Sequence, residues 1–142
     1  MEDGRPAEVI AVDTNILCYY WLASPLAAQA EALERRDPEW IAPPLWRSEF
    51  RRTLASSVRH QVLSLQSAID LIARAEERMR HREVAVSSQS VLELVANSFC
   101  TAYDYEFVAV ARQRGVPLVT ADRQILREFP RVAISLADFL AV

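Results

Sequence analysis

Val9-Ile10-Ala11-Val12-Asp13-Thr14-Asn15 packs a strand, a carboxylate and a helix start into seven residues of this 142-residue chain. Its four apolar residues run without the polar alternation of a strand that has one wet face. Such a run reads as a strand covered on both sides. A second run, Val116-Pro117-Leu118-Val119-Thr120, ends in the same way just before Asp122. Ligands of open parallel sheets bind at the carboxyl ends of the strands, and both acids are expected there.

Helical patterns fill the spaces between such runs. A helix is expected from about Asn15, another over Pro25 to Arg36, and a brief second strand at Trp40-Ile41-Ala42. Pro43-Pro44 opens a helix, because proline is tolerated in a first turn. Its stripe Trp46, Phe50, Leu54 and Val58 recurs every four residues. Ser64 is a suitable N-cap for Leu65 to Arg80. Glu83–Val86 reads as a third strand, Ser88–Asn97 and Tyr103–Arg114 as helices, with Gly115 ending the latter. Pro117–Thr120 and Val132–Ile134 complete five strands, with short helices at Arg123–Glu128 and Asp138–Val142. Strands alternating with helices predict an α/β fold: one domain over residues 1–142, a three-layer α/β/α sandwich around a short, mainly parallel five-stranded sheet.

Composition narrows the function. A net charge of −3 argues against a protein that coats nucleic acid through bulk positive charge. All 16 basic residues are arginine, which removes every mechanism that needs a catalytic lysine. Arginine's planar fork still suits phosphate. Cys18 and Cys100 form no metal or disulfide spacing and read as small core residues in a reducing cytoplasm. His60 and His81 fit neither a metal site nor a hydrolase triad. No apolar stretch approaches a membrane span, and Met1-Glu2-Asp3-Gly4-Arg5 is not the start of a secretory signal, so a cytoplasmic location without membrane association is expected.

Two further acids join the pair at the strand ends. Asp104 stands in the first turn of its helix, with Phe107, Val108 and Ala111 following on the inward face. Glu49 flanks the Trp46/Phe50/Leu54 stripe. Each has a plainer reading: Asp13 and Asp122 as N-caps, Asp104 as a helix-dipole partner, Glu49 as a partner of Arg47 or Arg52. Four acids gathered at one sheet edge would repel one another, and a hard divalent cation is their natural neutraliser.

The ordered set Val12-Asp13-Thr14-Asn15, Trp46-Arg47-Ser48-Glu49-Phe50, Ala102-Tyr103-Asp104-Tyr105-Glu106-Phe107-Val108-Ala109 and Val119-Thr120-Ala121-Asp122-Arg123 resembles a PIN-domain ribonuclease, and within that family the VapC-type toxins of bacterial toxin–antitoxin pairs. The resemblance implies Mg²⁺ or Mn²⁺ held mainly by Asp13 and Asp104, with Glu49 and Asp122 completing an acidic pocket. It implies endonucleolytic hydrolysis of RNA. Thr14, Asn15 and Thr120 are expected to hydrogen-bond the carboxylates or their waters. Arg47, Arg51 and Arg123 are expected to contact RNA phosphates, with Arg52 beside them. Glu106 is a further acid, about 200° around the helix from Asp104.

A cognate antitoxin and a homodimer are the implied protein partners. The helix pair Pro43–His60 and Leu65–Arg80, with its wide apolar faces, is the expected groove for an amphipathic antitoxin segment or a second copy. Two other readings compete. One is a phosphotransfer protein, which normally needs the lysine this chain lacks. The other is a non-catalytic PIN-fold module that binds RNA or protein.

Overall fold

A computed structural model describes residues 6–142; the N-terminal pentapeptide read above lies outside the described residues. Strand β1 (Val9–Val12) leads into helix α1 (Thr14–Trp21), then α2 (Ala27–Arg36) and β2 (Glu39–Ile41). Helices α3 (Leu45–Arg59), α4 (Leu65–Met79), α5 (Ser88–Val95) and α6 (Ala102–Arg114) follow. The chain ends with β3 (Leu118–Thr120), α7 (Arg123–Glu128), β4 (Ala133–Ser135) and α8 (Leu136–Ala141). All strand pairings are parallel, in the order β2-β1-β3-β4.

Helices cover both faces of this sheet, as the uninterrupted apolar β1 run requires. Ile10, Ala11 and Val12 are all buried. Alternate residues of a strand point to opposite faces, so one wet face would have exposed at least one of them. Helix α6 packs against β1, β3 and α5, whereas α1, α2, α3 and α8 form the other set of neighbours. Tyr20 stacks edge-on against Trp21 and Trp40, and the Arg78 guanidinium lies over Tyr20 and Trp40. Tyr20 and Trp21, at the end of α1, are thus engaged in packing.

The sheet has four strands among the described residues, not five. Segment 83–86 makes only a single parallel bridge, Glu83 to Ala42. The reason lies in its side chains. Glu83 accepts from Trp46 Nε1 at 2.7 Å and from Arg47 at 3.2 Å, which ties the segment to α3. Ser87 then caps α5, ending extended structure before a ladder can grow. The final strand also lies one residue later than expected, because Val132 N–H closes a turn onto Phe129 O. Gly115 closes α6 in the left-handed region, at φ 64°, where a Cβ is costly. No helix of the described residues is long and apolar enough to cross a membrane.

Candidate functional site

Because β1 and β3 are parallel neighbours, with Val12 in register with Val119, their carboxyl ends open side by side. Asp13 N–H donates to Val119 O at 3.1 Å, carrying the ladder one residue past β1. The Asp13 side chain then serves two masters. Its Oδ1 accepts from Thr14 N–H at 2.7 Å, capping α1, and its Oδ2 accepts from the Thr120 hydroxyl at 2.7 Å. The same hydroxyl oxygen accepts from Asp122 N–H at 3.0 Å. One threonine thus fixes both strand-end acids.

The other three acids are also held locally. Asp122 caps α7, its Oδ1 accepting from Gln124 N–H at 2.9 Å and Ile125 N–H at 3.0 Å. Asp104 forms a capping box with Thr101 at the start of α6. Glu49, on α3, accepts from the Thr14 hydroxyl. The capping roles that offered a plainer account are therefore real. Yet the same four acids all line one cavity of about 380 Å³, together with Thr14, Asn15, Cys18, Arg52 and Thr53.

The electrostatics of this cavity are those of negative charge with too little positive charge to balance it. Asp13 is 8% exposed, and burial pushes its carboxyl up from 3.8 to about 6. The Thr120 and Thr14 hydrogen bonds oppose that rise, and the Glu49 and Asp122 charges add to it. Glu49 is raised for the same reasons: burial first, eased by the Thr14 bond, then worsened by Asp104 and Glu106. Arg52 lowers it by charge. None of the four acids is in a salt bridge among the described residues. Burial also raises both thiols, Cys100 to about 11 with help from Asp104. Thiolate chemistry is therefore disfavoured at neutral pH.

Can these residues hold a metal? The donors are all carboxylate oxygens, the set that hard cations prefer. Among the described residues, however, no three acid, His or Cys side chains come together as a ready ligand group. The four acids share a cavity without converging on a point. Mg²⁺ uses only one or two carboxylates and keeps several waters. The arrangement therefore fits a largely hydrated ion and does not fit an all-protein cage.

Several expected residues sit differently from their sequence reading. Thr14 and Thr120 do bond carboxylates, but Asn15 does not: its Oδ1 accepts from Ala121 N–H at 3.3 Å, latching α1 to the end of β3. Arg47 is engaged by Glu76 and Glu83, each at 3.2 Å, and Arg51 approaches Glu76 at 3.7 Å. Both arginines thus tie α3 to α4 and the segment after it, and neither lines the acid cavity. Arg52 does, one residue further on. Arg123 is exposed in the first turn of α7. Cys18, expected only as a core residue, and Thr53 also line the cavity, each four residues after another cavity residue on its helix. Glu106 lines a neighbouring hollow, not this one.

The family model for the PIN domain matches residues 10–134. The crystal structure of PAE2754 from Pyrobaculum aerophilum is similar at a TM-score of 0.69 and 21% identity, over 95% of this chain and 96% of that one. At that identity the likeness speaks for the fold alone. No curated protein matches the chain by sequence. With the family model spanning most of its length, the chain belongs to the PIN-domain family.

Proposed function

We propose that this chain is a metal-dependent endoribonuclease, with Asp13, Glu49, Asp104 and Asp122 as its catalytic acids. PIN domains are generally nucleases and usually use divalent metal ions. The observation that carries the reading is the single cavity at the sheet edge, lined by four acids of which none is in a salt bridge among the described residues. A bound Mg²⁺ or Mn²⁺ would supply Lewis-acid stabilisation of the phosphoryl oxygens and an activated water. Asp13 and Asp104 would hold it, with Glu49 and Asp122 completing the acidic pocket. Thr14 and Thr120 keep Glu49 and Asp13 aimed into the cavity. Arg52 draws the RNA phosphate towards an otherwise repulsive mouth, helped by Arg123 at the start of α7.

Purified protein incubated with single-stranded RNA in Mg²⁺, Mn²⁺ or EDTA tests this reading. Cleavage is expected with metal, and is expected to vanish in EDTA and in Asp13→Asn or Asp104→Asn. Undiminished cleavage by either variant would overturn the assignment. That no three potential ligands gather among the described residues favours one rival, a PIN module that binds RNA or protein without cutting it. RNA binding with no metal-dependent cleavage would select that rival.

The toxin role rests on the α3–α4 arm. Its groove, about 500 Å³, is walled by Leu54, Val58, Ile69 and Ile72, with Leu65 65% exposed. An amphipathic antitoxin helix fits such a groove, and a homodimer would cover it in the antitoxin's absence. Co-expression with a small neighbouring reading frame is expected to yield a complex lost in Ile69→Asp. An intact complex in that variant would remove the arm from the interface.

A further inference from the structure

A second hollow, about 350 Å³, is lined by Val86, Ser87, Ser88, Val91, Leu92 and Glu106. It lies near the acid cavity: although Glu106 points to another side of α6 than Asp104, both acids are close enough to Glu49 to disfavour its charge. The polar groups around it divide into spent and free. Ser87 is committed to capping α5, accepting from Ser90 N–H at 3.1 Å and donating to Ser90 Oγ at 2.8 Å. Glu106 makes no hydrogen bond or ion pair among the described residues, although it is partly desolvated. Its carboxylate is therefore open to accept from a ligand that enters the hollow. Apolar walls from Val86, Val91 and Leu92 complete the hollow, and Leu92 is 63% exposed.

We propose that this hollow is a base-recognition subsite that takes one unpaired guanine of the RNA strand whose phosphate lies at the acid cavity. The proposal rests on RNA being the ligand of that cavity. A hollow of this size is at the small end of ligand pockets, suited to one base and not to a length of strand. Its single charge is negative, so it rejects phosphate. Valine and leucine side chains pack on a base face, and base edges of single-stranded RNA are read by hydrogen bonds. The two oxygens of Glu106 accept together from guanine N1–H and N2–H. Cytosine and adenine offer one exocyclic amine each. Uracil sets two carbonyl oxygens beside its single N–H, which a carboxylate repels.

Fluorescence anisotropy in EDTA, with labelled five-nucleotide uridine strands carrying guanine, inosine or uracil at the centre, tests the subsite without any cleavage. Wild type is expected to bind the guanine strand about tenfold more tightly than all-uridine, with inosine, which lacks the N2 amine, in between. In Glu106→Gln the guanine preference is expected to fall to within about twofold without weakening the all-uridine strand. Val91→Trp, which fills the hollow, is expected to do the same, and melting curves check that both variants fold. Equal affinity for the three strands in wild type, or a preference that survives both substitutions, would overturn the subsite. Cleavage by a protein without base preference would leave the nuclease reading standing and remove this one; base preference without cleavage would do the reverse.

Discussion

Replacing Asp13 with asparagine is expected to make the metal-free protein more stable while abolishing its activity. The folded Asp13 carboxyl titrates near 6, above the ordinary 3.8. Between those values the folded state holds more protons than the unfolded one, so stability falls as pH rises through this window. At about 1.36 kcal/mol per tenfold change in proton affinity, the ionised side chain costs the fold about 3 kcal/mol above the folded value. Asparagine removes that cost. It keeps one acceptor oxygen, but Asp13 accepts from both Thr14 N–H and the Thr120 hydroxyl. Losing or reversing one bond subtracts about 1 kcal/mol. A net gain of about 2 kcal/mol remains at about pH 8, or roughly 4–8 °C in melting temperature for a domain of this size.

Below the ordinary carboxyl value the wild-type side chain is itself neutral, and the gain is expected to disappear. Scanning calorimetry of both proteins in EDTA, from about pH 4 to about pH 8, reads the difference directly. A variant no more stable than wild type at the alkaline end, or an advantage unchanged across the range, would refute the assignment of strain to a buried, uncompensated charge.

Four further outcomes follow from the same geometry. Stabilisation by Mg²⁺, followed as a melting shift, is expected to grow as pH rises through about 6, since the ion competes with the proton on Asp13; a shift independent of pH would separate Asp13 from the metal. Thr120→Val leaves Asp122 N–H without its acceptor and Asp13 with only the Thr14 N–H of its two donors, so a loss of about 1–3 kcal/mol is expected by denaturant titration, together with weaker metal binding. Arg52→Ala is expected to weaken RNA binding with stability within about 0.5 kcal/mol of wild type. Arg47→Ala is expected to behave oppositely, because its ion pairs face Glu76 and Glu83; equal RNA losses in the two variants would show that α3 does not divide its arginines as described.

Much of the fold could be read locally. An apolar run with no polar alternation implies burial on both faces. The Trp46/Phe50/Leu54 spacing implies a helix with one inward stripe, and all three side chains are buried. The four acids could be picked out for the same reason, since each stands next to a pattern that points it inwards. Such inferences need only the chain's own period, which is set by backbone geometry over a few residues.

What the linear order could not convey was which distant groups meet. The bond from Thr120 to Asp13 joins residues 107 positions apart, and it exists because β3 inserts beside β1. Segment 83–86 has strand-like residues, yet Glu83 bonds Trp46 and Arg47, and those contacts outweigh strand propensity. Arg47, Arg51 and Arg52 are equivalent on paper; a rotation of about 100° per residue sends the first two to α4 and the third to the acid cavity. Glu106, two residues from Asp104, falls into the adjoining hollow by the same rotation. Local periodicity specifies which side of an element faces inwards, but the partner on the far side of that face depends on the packing of the whole chain.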